Sequence, residues 1–226
     1  MYQSFNSNLF PTQEGTRKFI GRRKRLIEEL RRKGIASERV LDAMEKTPRE
    51  LFMSPTLIEL SYNDSAYPIG VGQTISQPST VAKQTTLLDL KGGEKILEVG
   101  TGSGYQAAVL ANCGCDIYTM ERQKTLYERT SVLLKRMFPD TVHCFLADGF
   151  GGLPQESPFD RVIVTAGCSE MPKDLLLQLK VGGIAVLPYG EKSLHMLRIF
   201  RKSEAEFEQV DCGDCSFVPM LKGVER

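Results

Sequence analysis

The sequence predicts an α/β fold with a doubly wound, mostly parallel sheet, and three observations support this. Apolar runs of strand length alternate with helical segments from residue 79 onward, and a glycine-rich turn joins the first of these strands to a helix. The last two strands follow each other with no helix between them. The alternation is typical of right-handed βαβ crossovers. The final pair predicts a hairpin and hence an antiparallel edge of the sheet.

Two helices are predicted ahead of the sheet. Apolar residues recur at helical spacing from Thr16 until Gly34 ends the pattern, and Ser37 is expected at the N-cap of a second helix that ends before Pro48. Their apolar positions are Phe19, Ile20, Leu26, Ile27, Leu30, Val40, Leu41 and Met44. The first 15 residues are expected to be loosely ordered. Residues 54–78, rich in proline, glycine and hydroxyl side chains, are predicted to form an extended, functional loop.

The remaining elements alternate regularly. Pro78 suits the first position of a helix with Val81, Thr85 and Leu88 on one face. Further helices are expected over 104–113, about 122–137, and 172–180. Strands are expected over 96–99, 117–120, 143–146, 161–164, 184–187 and 194–199.

Composition and charge narrow the class of protein. The chain is 41% hydrophobic and 25% charged, has no apolar run of 18 residues and lacks the pattern of a secretory signal. We therefore expect a cytoplasmic protein without a membrane partner. Residues 1–33 carry a net charge of +6 and the remainder −5. Such a basic helix could meet nucleic acid or an acidic partner, but a solvated helix face is the simpler interpretation, so we do not expect nucleic acid.

The six cysteines are interpreted as reduced structural thiols, with metal or redox use as the alternative. They are Cys113, Cys115, Cys144, Cys168, Cys212 and Cys215, and the two histidines are His143 and His195. The first two cysteines form a C-x-C pair and the last two a C-x-x-C pair. Disulfides would need a secreted context. Because a tetrahedral set with standard zinc spacing is not visible, no metal site is predicted.

The sharpest local feature is the glycine-rich turn that begins at Glu98, directly after a strand. Its candidate binding residues are Glu98, Gly100, Thr101, Gly102, Ser103 and Gly104. Glycines there let the backbone approach a ligand, but the spacing departs from the dinucleotide fingerprint because Tyr105 occupies the place of the third glycine. Taken alone, the turn is equally compatible with a tight strand–helix connection.

Acidic residues end the next two strands. Glu121 lies 21 residues after Gly100, where a carboxylate can accept both ribose hydroxyls of an adenosine ligand. Asp148, followed by Gly149, could accept the exocyclic amino group of adenine. Charged strand ends are common, so Glu121 alone is weak evidence. Three consecutive strands that end in suitable residues at one sheet edge are stronger evidence.

These residues resemble motif I, the acidic residue after it, and motif II of class I methyltransferases that use S-adenosyl-L-methionine (SAM). Further segments resemble the protein-L-isoaspartate (D-aspartate) O-methyltransferase family in particular. They are 68–78 (PIGVGQTISQP), 97–111 (LEVGTGSGYQAAVLA), 164–166 (VTA), 178–183 (QLKVGG) and 217–219 (FVP). The similarity extends from about Arg22 to Leu221. The QTIS stretch is specific, because generic methyltransferases lack it.

The resemblance implies a Rossmann-like methyltransferase fold and a chemistry. The free α-carboxylate of an L-isoaspartyl residue attacks the SAM methyl group, which leaves S-adenosyl-L-homocysteine, and the ester collapses to a succinimide whose hydrolysis returns some normal aspartate. The expected partners are isoaspartyl proteins and peptides, and we expect a monomer. The chain is expected to form a single domain over 1–226, with a helical appendage over 1–53, an active-site loop over 54–78 and a Rossmann-like core over 79–226.

Residue roles follow from the same resemblance. Ser76 carries over as the active-site serine, interpreted as a hydroxyl that orients the carboxylate and not as a covalent nucleophile. Without the resemblance it would be interpreted as a helix-capping hydroxyl before Pro78. The resemblance also places Gln73, Thr74 and Ile75 at the cofactor and Asp64, Val71 and Val218 at the substrate groove. A carboxylate already ionised at neutral pH needs no strong general base, which fits the lack of an evident histidine dyad.

Two departures and three alternatives remain at this point. Residues 165–169 read TAGCS where relatives often have TAAAP, and Leu221 stands where some have threonine; both bear on peptide preference.

A methyltransferase of RNA or of a small molecule is the main alternative, but no base-handling Asn-Pro-Pro-Tyr or Pro-Cys motif is present. The intact Ser76 loop disfavours a non-enzymatic nucleotide-binding module. Glycine spacing disfavours a nicotinamide dehydrogenase.

Overall fold

The computed structural model describes residues 13–225 and arranges them around one seven-stranded sheet. The helices are α1 (Gln13–Arg32), α2 (Glu38–Lys46), α3 (Pro78–Leu87), α4 (Tyr105–Asn112), α5 (Lys124–Met137) and α6 (Lys173–Leu177), with 3-10 turns at Arg49–Phe52 and Ile58–Leu60. The strands are β1 (Tyr67–Gly70), β2 (Gln73–Ile75), β3 (Lys95–Val99), β4 (Asp116–Glu121), β5 (Val142–Leu146), β6 (Phe159–Val164), β7 (Leu179–Tyr189), β8 (Leu194–Arg201) and β9 (Phe207–Cys215). We expect the first 15 residues to be loosely ordered, and most of that segment, residues 1–12, lies outside the described residues.

The strand order is β5-β4-β3-β6-β7-β8-β9. The five strands from β5 to β7 pair in parallel, whereas β7, β8 and β9 pair antiparallel. The predicted doubly wound, mostly parallel sheet with an antiparallel edge is therefore confirmed. Since the strand order reverses between β3 and β6, the connections that follow these two strands diverge and leave a crevice at their carboxyl ends.

Both faces of the sheet are buried at its central strands. On β3, Ile96 belongs to the apolar cluster formed with α1 to α5, and its neighbour Leu97 belongs to a second cluster that includes Leu175 and Leu176 of α6. Side chains alternate between the faces of a strand, so a strand covered on both sides is apolar at most positions. This explains why the central strands appear in the sequence as continuous apolar runs.

Several local predictions differ from the structure. Within 54–78 the chain forms the β1–β2 hairpin, whose turn has positive φ at Gly70, Val71 and Gly72. Strand β9 was not predicted, because its side chains are largely exposed and polar. Helix α6 stops at Leu177 and not near residue 180, since Leu179 already pairs with β6.

The apolar face predicted for α1 and α2 is buried except at one position. Phe19, Leu26 and Leu30 are buried, as are the predicted positions of α2, but Ile20 is 40% exposed. Ile20 lies one residue beyond Phe19, so it turns about 100° away from the buried stripe. The prediction for Ile20 was therefore wrong.

Four basic residues of α1 form ion pairs, most of them with acids outside the helix. Lys18 and Arg22 contact Glu59 at 2.6 and 3.1 Å, and Arg23 contacts the buried Glu50 at 2.9 Å. Arg31 contacts Glu28 and Glu38 in addition. Much of the positive charge of this helix is thus balanced locally. No helix within residues 13–225 is long and apolar enough to cross a membrane.

Candidate active site

A cavity opens at the carboxyl ends of β3, β4, β5 and β6, where the strand order reverses. It contains about 850 Å³ of empty space including its mouth, which is within the range of small-molecule sites. Eleven predicted site residues line it: Gln73, Thr74, Ile75, Ser76, Gly100, Thr101, Gly102, Ser103, Glu121, Gly149 and Val218. We call it the cofactor cavity. Ligands of doubly wound sheets bind at this switch point.

The glycine-rich turn lines one side of the cofactor cavity. Gly100 has a φ of 103°, and a Cβ there would lie 2.4 Å from the Thr165 hydroxyl oxygen. Gly104 has a φ of 87°, and a Cβ there would lie 2.7 Å from a methyl group of Thr130. Only glycine suits both positions, because the backbone is left-handed and β6 and α5 approach closely. Gly104 itself does not line the cavity and supports the turn from behind.

Glu121 ends β4 with only 5% of its surface exposed, and it lines the cofactor cavity. One carboxylate oxygen accepts the Gly102 N–H at 2.9 Å, and the other accepts the Gln123 N–H at 2.8 Å. A carboxylate offers about four acceptor sites. The two backbone bonds therefore fix the carboxylate and leave acceptor sites for hydroxyl donors of a ligand, which suits the ribose of SAM.

Glu98 occupies a different environment. It is completely buried on β3, and neither of its carboxylate oxygens has a hydrogen-bond partner within the described residues. Burial raises the pKa of Glu98 to about 8, and the nearby charge of Glu121 adds to the rise. The structure places Glu98 beneath the turn and does not bring it to the cavity wall with the other predicted cofactor residues.

Asp148 is engaged with the backbone. One oxygen accepts the Phe150 N–H at 3.0 Å and the other accepts the Gly223 N–H at 2.7 Å. Asp148 thereby ties the loop after β5 to the C-terminal segment. The cavity is lined by its two neighbours, Ala147 and Gly149.

The C-terminal segment, residues 217–225, crosses the mouth of the cofactor cavity. The Gly167 N–H donates to the Val218 carbonyl, and the Met220 N–H donates to the Gly167 carbonyl, both at 2.8 Å. At the far end, the Glu225 N–H donates to the Arg122 carbonyl at 2.9 Å. Both departures from the family pattern lie here, since Gly167 holds the segment and Leu221 lines the cavity.

Ser76 follows β2 at the edge of the cofactor cavity. Its carbonyl accepts a hydrogen bond of 2.9 Å from Nη2 of Arg49. Its hydroxyl has no hydrogen-bond partner among the described residues. The backbone of Ser76 is thus held by the protein while its hydroxyl is available to a ligand.

A second cavity lies beyond Ser76, between α3, β8 and the end of β9. It is a wider cleft with about 1440 Å³ of empty space including its mouth. We call it the outer cleft. Four residues line both spaces: Thr74, Ser76, Thr165 and Val218. The outer cleft also contains a cation, Lys83, whose ammonium group donates to the Cys212 carbonyl at 2.6 Å.

Two predicted groove residues lie outside both spaces. Asp64 accepts the Ser79 N–H at 2.8 Å in the first turn of α3, so its carboxylate caps that helix. Val71 is 45% exposed at the tip of the β1–β2 hairpin, with a φ of 43°. The structure brings neither side chain to the cavity walls.

Other lining residues were not among the sequence predictions. Arg122, Met120 and Val81 line the cofactor cavity without a sequence signal that marks them. Thr165 and Pro219 also line it, and both stand within segments that resemble the family. That resemblance could have identified them.

Cysteines and histidines contribute little to either space. Cys215 lines the outer cleft, and burial raises the pKa of its thiol to about 11. Neither His143 nor His195 lines either cavity in the described part of the chain. Within residues 13–225, no three His, Cys, Asp or Glu side chains are grouped as metal ligands.

Comparisons with known proteins agree on one family. The protein-L-isoaspartate(D-aspartate) O-methyltransferase family matches residues 21–225. The protein-L-isoaspartate O-methyltransferase of Flavobacterium psychrophilum is 49% identical over 207 residues, covering 92% of this chain and 97% of that protein. That of Flavobacterium johnsoniae is 47% identical with the same coverage of both chains.

Solved structures agree with the sequence relatives. A beta-aspartate methyltransferase from Plasmodium falciparum, in complex with S-adenosyl-L-homocysteine, has a TM-score of 0.77 at 27% identity and covers 89% of this chain and 99% of that chain. Another protein-L-isoaspartate O-methyltransferase has a TM-score of 0.78 at 27% identity and covers 87% and 65%. Together with the switch-point cavity, these matches establish that the chain belongs to the protein-L-isoaspartate(D-aspartate) O-methyltransferase family.

Proposed function

We propose that this chain transfers a methyl group from SAM to the free α-carboxylate of L-isoaspartyl residues in proteins and peptides. The amide nitrogen that follows the isoaspartyl residue then attacks the methyl ester and expels methanol, and repair begins from the succinimide that forms. The observation that carries the proposal is the position of Ser76, which lines both the cofactor cavity and the outer cleft. A methyl transfer needs the donor and the acceptor to meet, and Ser76 lies where the two spaces join.

The cofactor cavity suits SAM. Glu121 would accept the ribose hydroxyls, and the backbone of Gly100 to Ser103 would face the amino-acid part. The segment 147–149 would line the adenine, with Asp148 fixing that segment to the C-terminal tail. Gln73, Thr74 and Ile75 would cover the ligand from the β1–β2 hairpin. When bound, SAM supplies an electrophilic methyl group on a sulfonium.

The chain's own residues need only orient the acceptor. An isoaspartyl carboxylate is ionised at neutral pH, so no residue has to remove a proton from it. The Ser76 hydroxyl donates a hydrogen bond to one carboxylate oxygen and directs the other toward the methyl group. Placing two reactants in line within a shielded site contributes much of the rate. This role fits a site whose walls carry neither histidine.

The outer cleft would hold the peptide. Val218 lines both spaces and would flank the isoaspartyl residue. Val71, exposed at the hairpin tip, would contact the peptide farther out. Asp64 would act indirectly, by capping the helix that follows Ser76. These assignments refine the roles expected for the three groove residues.

Peptide labelling tests the function. The protein is incubated with tritiated SAM and two matched peptides that differ only in an isoaspartyl or an ordinary aspartyl linkage. We expect ester formation on the isoaspartyl peptide alone. Equal labelling of both peptides would contradict the proposal, and so would labelling of RNA in the absence of peptide labelling.

We further propose that the protein acts as a monomer in the cytoplasm and does not use nucleic acid. The ion pairs of Lys18, Arg22, Arg23 and Arg31 support the last point, because these cations already have acidic partners. We also propose that 1–53 act as a helical appendage, 54–78 as the active-site loop and 79–226 as the core. Light scattering during gel filtration tests the monomer, since a mass near twice 25.2 kDa would exclude it.

A further inference from the structure

Arg49 is the largest completely buried side chain in the described part of the chain, and it lies directly behind the Ser76 segment. Its Nη2 donates to the Ser76 carbonyl at 2.9 Å. Its guanidinium carbon lies 4.8 Å from the centre of the Tyr105 ring. Tyr105 begins α4 directly after the glycine-rich turn and lines the cofactor cavity. One side chain therefore contacts the segments that line the two sides of the reaction site.

The guanidinium has no carboxylate partner within the described residues. Its Nε and Nη1 have no hydrogen-bond partner in the part of the chain that the structure describes. The adjacent acid, Glu50, is already bound by Arg23 at 2.9 Å and by the Tyr62 hydroxyl. Although burial lowers the pKa of Arg49, a guanidinium stays protonated in proteins. A buried cation with unsatisfied donors is strongly unfavourable for folding, so packing alone is a poor reason for an arginine here.

The contacts around Ser76 suggest what Arg49 does. The Ser76 hydroxyl has no hydrogen-bond partner among residues 13–225, so its position depends on the backbone that carries it. That backbone is held at the Ser76 carbonyl by Arg49 and, three residues later, at the Ser79 N–H by Asp64. Between these two points the chain turns from β2 into α3. Loss of either anchor would let the hydroxyl move relative to the cofactor cavity.

We propose that Arg49 is a positioning residue for methyl transfer, which fixes the Ser76 hydroxyl relative to the cofactor turn through the Ser76 carbonyl and the Tyr105 ring. The inference rests on the proposed role of Ser76 and deepens it. Arg49 acts only through Ser76 and touches neither substrate. Its removal should therefore lower turnover, leave SAM affinity nearly unchanged, and matter only while the Ser76 hydroxyl is present.

A double-mutant cycle tests this dependence. We would measure kcat with an isoaspartyl peptide, and SAM affinity by calorimetry, for the wild type, Ser76→Ala, Arg49→Met and the double variant. A misplacement of about 1 Å at a reaction site lowers the rate about 100-fold. We therefore expect Arg49→Met to lower kcat about 10- to 100-fold when Ser76 is present and less than about threefold in Ser76→Ala. Arg201→Met is the matched control, because Arg201 is also buried and bonds to carbonyls, at Leu177 and Leu179.

The outcomes separate the inference from the function it rests on. No isoaspartyl ester with the wild type would refute the proposed function, whereas unchanged kcat in Ser76→Ala would refute the role of Ser76 and, with it, the inference. Equal losses from Arg49→Met in both backgrounds, or a matching loss in Arg201→Met, would overturn the inference and leave Arg49 a structural residue. If Arg49→Met does not fold, Arg49→Lys replaces it in the cycle. Lysine keeps the positive charge but lacks the planar set of N–H donors of a guanidinium. A loss of kcat that occurs only when Ser76 is present again supports the inference.

Discussion

Replacing Glu121 with alanine is the sharpest test of the cofactor cavity. The variant removes both acceptor oxygens from a nearly buried position. Two effects follow, because the carboxylate holds the protein as well as facing the cavity. The ligand loses its acceptors, and the N–H groups of Gly102 and Gln123 lose partners that lie 2.9 and 2.8 Å away.

The magnitudes follow from the hydrogen bonds. A hydrogen bond to a charged group contributes about 1.5–3 kcal/mol, so we expect SAM to bind about 10- to 150-fold more weakly. An unsatisfied buried donor costs about 1–3 kcal/mol, so the loss of both partners should lower the free energy of unfolding by about 2–6 kcal/mol in total. Glu121→Gln should be intermediate, because its amide nitrogen must face one of two N–H donors.

Calorimetry with two ligands separates the loss of hydrogen bonds to the ribose from a loosening of the glycine-rich turn. S-adenosyl-L-homocysteine and its 2′-deoxy analogue are titrated into the wild type and Glu121→Ala. The wild type should bind the deoxy analogue more weakly, whereas Glu121→Ala should not distinguish the two ligands. Asp116→Asn, at the other end of the same strand, should behave as the wild type. Unchanged affinity in a folded Glu121→Ala, or equal discrimination by both proteins, would remove Glu121 from the ribose site.

Three further predictions address the reaction, the buried acid and the thiols. Ser76→Ala should lower kcat for an isoaspartyl peptide about 10- to 1000-fold with SAM affinity nearly unchanged, as for loss of one positioning donor; wild-type turnover would leave Ser76 without a catalytic role. Glu98 has a folded-state pKa of about 8 against an ordinary 4.5, so the folded protein retains a proton that the unfolded chain releases, and stability should fall as pH rises between these values. Urea unfolding should show Glu98→Gln gaining on the wild type by up to about 1.4 kcal/mol per pH unit in that window and by nothing further above it; a difference independent of pH would contradict the buried acid. The Cys212→Ser, Cys215→Ser double variant should keep its kcat, with at most a change in peptide KM because Cys215 lines the outer cleft. Loss of turnover in the folded variant, or stoichiometric zinc in the purified protein, would contradict this.

Local sequence patterns predicted the strands that other elements cover along their whole length. The central strands β3, β4 and β6 are covered on both faces, so most of their side chains are apolar and each strand is recognisable from its own residues. Strand β9 has no such covering, and its nine residues include Glu208, Asp211 and Asp214. Pairing with β8 makes it a strand, and a strand held by pairing alone, with its side chains largely exposed, shows no apolar run in the sequence. The end of α6 was misplaced for a related reason, since Leu179 satisfies both a helical pattern and the sheet.

The sequence by itself predicted most of the residues that come together in the cofactor cavity. Glycines at 100, 102 and 104, the acid Glu121 at the next strand end and the QTIS stretch each act within a few residues of chain, where spacing is set by local geometry. Only the tertiary structure decided which side chains face the ligand. It turned Glu98 beneath the turn, engaged Asp148 with backbone donors and placed Asp64 on a helix end. It also brought Arg49 to Ser76, 27 residues away, and made one outer cleft from α3 and the C-terminal segment. The direction in which a side chain points and the contacts between distant segments depend on the packing of the whole core. A local sequence pattern therefore cannot predict them.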